Sequence, residues 1–323
     1  MKKYVISGYI GFDNFGDEAI CGVLTKHLIS EGNKVTVISA NPEKTAVLYG
    51  VESVGMFSFV KPILQSDILI SGGGSLLQDI TSLKSLLYYI AIIMMAILFG
   101  KKVYIFAQGF TPFRTKIGEI LTKFVLRYCE KISVRDMQSK EYLQTLGIAS
   151  KLVSDPVYGI EKFENGHKGV GIQLRGFKTL TDEFLNSLAD SVSKNFAKET
   201  IKLYSLQDSV DLPVINKFAE LMTARGCHIE IYKNMSVPEA VNELSTLEYL
   251  IGMRFHANLV AAKSGVKVLG INYDVKVKTL AEEIGFPIIN MYGCEAELGI
   301  ENLLKVNPAE YKIPKFDISE IID

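Results

Sequence analysis

The stretch that decides the fold is KKYVISGYIGFDNFGDEAI, residues 2–20. KYVIS (3–7) is a short β-branched and aromatic run, the pattern of a buried strand. Beyond it, Ile20, Val23, Leu24, His27 and Leu28 fall at i, i+3, i+4, i+7 and i+8, one face of a helix. Gly32 reads as the C-cap of that helix. Strand, glycine-bearing turn and helix make a first βα unit.

The unit repeats along the chain. KVTVIS (34–39), DILIS (67–71), KVYIFA (102–107), KISVR (131–135) and KLVS (151–154) read as further strands separated by helical patterns. DPVYGIEKFENGHKG (155–169) has Pro, Gly, Asn and charges without periodicity and reads as a linker. The alternation then restarts with GVGIQLR (169–175), IKLYSL (201–206), HIEIY (228–232), LEYLIG (247–252), KVLGIN (267–272) and FPIIN (286–290). Short strands alternating with helices imply parallel sheets. The expectation is an α/β protein of two doubly wound, Rossmann-like halves, residues 1–156 and 157–323, with a cleft between them. Residues 301–323 have two routes open, packing on the second half or crossing back to the first.

Bulk properties narrow the class. The chain has 323 residues, 48% of them hydrophobic, which is more core than one domain usually needs. A net charge of −1 gives no bulk attraction to nucleic acid or an anionic membrane. Cys21, Cys129, Cys227 and Cys294 are scattered, without CxxC spacing, so neither a disulfide framework nor a metal site is expected. The N-terminus has the charge of a signal peptide but no h-region, and the expected location is cytoplasmic. Leu86–Phe99 is apolar throughout and flanked by Lys84 and Lys101. A spanning helix needs about 20 residues, so this reads as a helix packed under a sheet; the alternative is a greasy surface near lipid.

Ligands of doubly wound sheets sit at the carboxyl ends of the strands, so the residues there are the candidates. The first loop is neither GxGxxG nor a P-loop. Its carboxylates repel phosphate, and Asn14 and Asp17 suit sugar hydroxyls. Glu18 reads equally well as a cap that complements the helix dipole. SGGGSLLQD (71–79) places Gly72, Gly73, Gly74 and Ser75 at a helix start with no acid until Asp79, a better anion site. AQGFTP offers Thr111 after the next strand, and SVRD offers Arg135 and Asp136. In the second half, Arg175 follows GIQL, and MRFHA puts Arg254 and His256 at a helix N-terminus. Cations there oppose the helix dipole at about 0.3–1 kcal/mol each, which suggests that an anion joins them. Tyr273, Asp274 and Lys276 follow KVLGIN, whereas Lys278 reads as an ordinary loop charge. His27, His167 and His228 read as structural or solvated.

GYIGFDNFGDEAI, SGGGSLLQD, SVRD, MRFHA and INYDVKV, in this order, resemble the polysaccharide pyruvyl transferases. The similarity is closest to the CsaB-type enzymes of bacterial cell-wall polymer synthesis. Val275 stands where the family has proline, Phe255 where it has leucine, and GFTP where it has a GIGP-like turn. The resemblance implies a GT-B-like fold and transfer of pyruvate from phosphoenolpyruvate onto two hydroxyls of one sugar, forming a cyclic ketal. It implies an N-acetylmannosamine residue on a lipid-linked precursor as acceptor, which would fit peripheral contact with the inner face of the membrane. No cofactor is implied; phosphoenolpyruvate is a co-substrate. On this basis His256 is the expected acid/base, with Arg254 and Lys276 beside it. Arg135, Arg175 and the 72–75 turn are expected on the donor. Asn14, Asp17 and Asp79 are expected on the acceptor. Two alternatives stay open, a glycosyltransferase using a nucleotide sugar and a non-catalytic glycan-binding protein. A nicotinamide dehydrogenase is disfavoured because no GxGxxG follows any strand.

Overall fold

A computed structural model describes every residue except Thr81, 162–165, 292–294 and Asp323, and the side chain of Glu320. Cys294 and part of the expected linker therefore lie outside the described residues.

The chain divides into two compact units. The first is Met1–Ile160 together with Lys315–Asp323, and the second is Glu161–Pro314. In the first, strands β1 to β7 are Lys3–Ser7, Lys34–Ser39, Glu52–Gly55, Ile68–Ser71, Lys102–Gln108, Lys131–Val134 and Lys151–Leu152. Helices α1 to α6 are Phe15–Ser30, Pro42–Tyr49, Val60–Gln65, Leu83–Leu98, Lys116–Leu126 and Met137–Thr145. The strands form one parallel sheet in the order β3-β2-β1-β4-β5-β6-β7. Strand β3, ESVG, was not expected; it is a half-buried edge strand without an apolar run.

The opening stretch folds as its pattern dictates. β1 is central, with Val5 opposite Thr36 on one side and Leu69 on the other. Val5 and Ile6 are almost fully buried, which stabilises by roughly 1.5–3 kcal/mol per side chain. Helix α1 starts at Asn14, whose Oδ1 accepts from Gly16 N at 3.3 Å. It buries Ile20, Leu24 and Leu28 and ends one residue before Glu31, with Gly32 in the left-handed region. Helix α4 buries Leu86, Tyr89, Ile90, Ile92, Ile93 and Ala96 in a core with Val103 and Ile105 of β5. No helix among the described residues is long and apolar enough to cross a membrane.

In the second unit, β8 to β13 are Val170–Gln173, Thr200–Tyr204, His228–Tyr232, Tyr249–Gly252, Lys267–Asn272 and Ile288–Asn290. Helices α7 to α12 are Asp182–Asn195, Asp208–Thr223, Val237–Ser245, Phe255–Lys263, Val275–Ile284 and Ala296–Leu304. The sheet order β10-β9-β8-β11-β12-β13 repeats the first six strands of the other unit. Phe184, Leu188 and Phe218 pack on Ile172 and Leu203 in its core.

The first unit does not stop at residue 156. A 3-10 turn at Pro156–Gly159 lies against α1 and the returning tail, where a Cβ on Gly159 would sit 2.7 Å from Phe316 and 3.3 Å from Val23. The tail is tied by Ser154 Oγ to Lys315 O at 2.9 Å and by Lys131 Nζ to Ile322 O at 2.9 Å. Its last helix, α13 (Ser319–Ile322), buries Ile321 and Ile322.

Candidate active site at the strand ends

Both sheets reverse their winding direction beside their first strand, between β1 and β4 and between β8 and β11. Open α/β sheets bind ligands at such switch points. The loops singled out in the sequence, residues 8–14, 71–79, 173–176 and 252–256, are the loops that leave these four strands.

In the first unit, the glycine turn after β4 is held by its neighbours. Gly72 N donates to Ser7 O at 2.7 Å, so this N–H, expected on the donor, is already used inside the fold. Gly74 has φ +88°, and a Cβ there would lie 2.4 Å from Asp17 Oδ1. Asp17 of α1 thus lies against the turn. Gly109, just after β5, is a close-approach point: a Cβ would lie 2.8 Å from Ser75 Oγ and 3.5 Å from Arg135 Nε. The ends of β4, β5 and β6 therefore bring Ser75, Gly109 and Arg135 together. Buried Gln108 ties this edge, its Nε2 donating to Ser71 Oγ at 2.8 Å and Gly72 O at 3.1 Å.

Arg135 is not an open cation. Its Nη1 donates to Asp155 Oδ2 at 2.7 Å, and both side chains are more than nine-tenths buried. Asp155 also accepts from Val157 N at 2.9 Å. Asp79, expected on the acceptor, is engaged inside the fold. Its oxygens accept from Arg114 N at 2.7 Å and from Thr115 N and Oγ1 at 2.8 and 2.7 Å. Burial pushes its carboxyl up, but the bonds from Thr115 and Arg114 outweigh this and hold it below the usual range. Glu18 is structural as well: it accepts from Gly11 N at 2.7 Å and from the Tyr49 hydroxyl at 2.6 Å. Burial, the larger effect, raises its pKa despite those bonds. The first loop also carries Tyr9 and Phe12, stacked at 4.2 Å and 7°. Two unremarkable aromatics three residues apart gave no signal in the sequence.

In the second unit, Arg254 caps α10 without a side-chain cap bond, and the internal anion that joins it is Asp211 of α8. Nε donates to Asp211 Oδ2 at 2.8 Å, and Nη2 to Oδ1 at 2.6 Å and to Gln207 Oε1 at 3.0 Å. Arg254 is 7% exposed and Asp211 0%. Gln173 completes the frame, its Oε1 accepting from Arg254 N at 2.7 Å. The dipole penalty that pointed to an external anion is met inside the fold, and only Nη1 of the guanidinium has no described partner. Asp211 lies in the first turn of α8, where a carboxylate reads as an ordinary complement to the helix dipole, so nothing in the sequence tied it to Arg254.

Arg175 differs. Its Nε is buried without a hydrogen-bond partner, and Nη1 reaches the Tyr273 hydroxyl only at 3.4 Å. Its guanidinium lies 5.9 Å from the Tyr273 ring, on which Phe177 packs edge-on. Among the described residues it pairs with no carboxylate. Its backbone N contacts Met253 Sδ at 3.2 Å, which sets it beside Arg254 on the neighbouring strand end. His256 is the second residue of α10, with Nε2 shielded from solvent and its ring edge-on to Phe255. Lys276 lies in the first turn of α11, capped by Asp274. Lys278 faces Glu282 at 3.8 Å, an ordinary surface pair. Among the described residues no group of three or more His, Cys, Asp or Glu side chains is arranged to hold a metal.

Solved structures share the fold at low identity. A UDP-GlcNAc 2-epimerase from Neisseria meningitidis, bound to UDP-GlcNAc, superposes with TM-score 0.67 at 11% identity, over 98% of this chain and 95% of that one. The Methanocaldococcus jannaschii UDP-GlcNAc 2-epimerase gives 0.66 at 12%, over 98% and 96%. A glycosyltransferase from Rickettsia africae ESF-5 gives 0.61 at 13%, over 96% and 90%. These likenesses establish the two-unit α/β fold and nothing finer. No curated protein matches the chain. The profile of the family described as polysaccharide pyruvyl transferase matches residues 14–275, which takes in the five motifs except the first residues of the opening one and the last two, Lys276 and Val277, of the closing one. The chain therefore belongs to the polysaccharide pyruvyl transferase family.

Proposed function

We propose that this protein transfers pyruvate from phosphoenolpyruvate onto two hydroxyls of one sugar, as a CsaB-type enzyme acting on a lipid-linked cell-wall precursor. The observation that carries the donor side is Arg175 Nε, buried without a hydrogen-bond partner at a strand end next to the one that carries Arg254. A buried donor without an acceptor costs about 1–3 kcal/mol, which a bound oxyanion would recover. Phosphoenolpyruvate offers a carboxylate and a phosphate, both suited to guanidinium forks.

Asp211 and Gln207 hold Arg254 by Nε and Nη2 and so aim Nη1. His256 protonates the methylene carbon of the enol phosphate. The resulting oxocarbenium is attacked by one sugar hydroxyl, which forms the first C–O bond and loses its proton. Loss of phosphate and attack by the second hydroxyl close the ketal ring. One hydroxyl proton replaces the proton given to the methyl group, and the other leaves with phosphate. Lys276 joins this cationic set. On the strand ends of the first unit, Arg135, braced by Asp155, and Ser75 are the groups suited to an anion. Asn14 and Asp17 take the acceptor, and the stacked Tyr9 and Phe12 supply an apolar face of the kind that sugar rings pack on. Asp79 and Gly72 are not retained, because their polar groups are engaged internally.

The reading is tested by incubating the purified chain with phosphoenolpyruvate and a lipid-linked N-acetylmannosamine disaccharide. Acceptor-dependent release of phosphate with a product heavier by one pyruvylidene group is the expected result. Release of nucleoside diphosphate from a nucleotide sugar, with none of phosphate from phosphoenolpyruvate, would favour the glycosyltransferase reading and sink this one.

A further inference from the structure

We propose that the outer face of α4 and α5 docks on an anionic phospholipid bilayer. The sequence drew attention to α4, but the stronger signal is on α5, where the apolar stripe points outward. Ile117, Ile120, Phe124 and Tyr128 are 61%, 64%, 44% and 58% exposed. They recur at i, i+3, i+7 and i+11, opposite buried Gly118, Thr122, Val125 and Leu126. The Phe124 and Tyr128 rings touch, with centroids 5.2 Å apart. α4 packs beside α5 and adds exposed Leu87 and Leu98, and Ile80 is exposed in the loop ahead of it. Exposed apolar groups this closely spaced mark a contact surface and not ordinary scatter.

Charge selects the occupant. Residues 80–128 hold seven lysines and arginines against one carboxylate, Glu119, in a chain of net charge −1, and of the seven only Lys102 has a described ion pair, with Glu130 at 2.8 Å. Bulk charge conceals this local excess. Lys84 and Lys116 are exposed on these helices, Arg127 is exposed in the turn that ends α5 and is followed there by Tyr128, and Lys123 is half-buried. Such a surface repels a second copy of itself, which disfavours a two-fold dimer through this face. It matches an anionic leaflet, with aliphatic and aromatic groups at acyl depth and cations at the headgroups. α4 and α5 follow β4 and β5, and Asp79 bonds the loop before α4 to Thr115, the cap of α5. The docking face thus adjoins the strand ends that carry Ser75 and Gly109. The proposal deepens, and in its purpose rests on, the reading of a lipid-linked acceptor, but its test does not depend on catalysis.

The experiment is co-sedimentation of the full chain with vesicles of phosphatidylcholine alone or mixed with phosphatidylglycerol. The chain should pellet with the mixed vesicles, and binding should fall as salt rises. The Lys116→Glu, Lys123→Glu, Arg127→Glu triple variant should lose at least about tenfold in partitioning, as should Ile120→Glu, Phe124→Glu. Both variants should keep wild-type phosphate release on a water-soluble acceptor. Equal binding to both vesicles, no binding, or variants that partition like wild type would overturn the proposal. So would a wild-type dimer in light scattering that the variants lose, because a second copy would then cover the face. Vesicle binding without phosphate release on any acceptor would instead sink the pyruvyl transfer reading and leave this one standing.

Discussion

Asp211→Asn is the most informative single change. In the native fold the carboxylate takes two charge-assisted bonds from Arg254, at 2.8 and 2.6 Å, and backbone N–H bonds from Leu206 at 3.0 Å and Gln207 at 3.1 Å. Asparagine is the same size but has one acceptor oxygen and no charge. It leaves the Arg254 guanidinium buried without a counter-charge and sets an NH2 group against an N–H donor. Removing one partner of a buried ion pair costs about 3–5 kcal/mol. At about 2–4 °C per kcal/mol for a unit of this size, the thermal transition of the second unit should fall by on the order of 10 °C. Arg254→Met should cost a similar amount, because it strands the carboxylate. The double variant removes both charges together, so its cost should be close to that of one single variant, a coupling of about 3 kcal/mol. Scanning calorimetry on wild type, both single variants and the double variant measures this cycle. Additive costs, agreeing within about 0.5 kcal/mol, would refute the claim that Asp211 exists to hold Arg254. Below its transition, Asp211→Asn should also raise KM for phosphoenolpyruvate, which a purely structural acid elsewhere would not do.

His256→Gln should lower kcat by about 10²–10⁴-fold while direct phosphoenolpyruvate binding, measured calorimetrically, stays within about twofold; unchanged turnover removes His256 from proton transfer. Gly74→Ala should lose about 1–2 kcal/mol in denaturant unfolding from its +88° φ, and should weaken acceptor binding as the new methyl displaces Asp17. Asp79 has a folded pKa below the unfolded value of about 3.9, so it stabilises fully above that pH and loses its contribution as pH falls through the folded value. Asp79→Asn should therefore be less stable than wild type at pH 7, with the gap narrowing as the pH drops below 4; a gap constant down to pH 2 would contradict this.

The sequence by itself determined the architecture. A period of two in the strands and 3.6 in the helices is local, so KYVIS and the Ile20, Leu24 and Leu28 face could be read without knowing their neighbours. Strand β3 escaped because ESVG has no apolar periodicity to read. The sequence also determined which loops lie at the carboxyl edges of the sheets, because residues that follow a strand lie there whatever the strand order. It could not decide which of their polar groups remain available. That depends on contacts distant along the chain: Asp211 lies 43 residues from Arg254, Asp155 20 from Arg135, and Thr115 36 from Asp79. The dipole argument at the start of α10 pointed to an external anion, and only the tertiary structure revealed that the fold itself supplies one to Arg254. The outward stripe of α5 was equally hidden. Its apolar residues follow a clear helical period, but the period does not say which way the face turns, and only packing against the sheet shows that much of it is left for a partner.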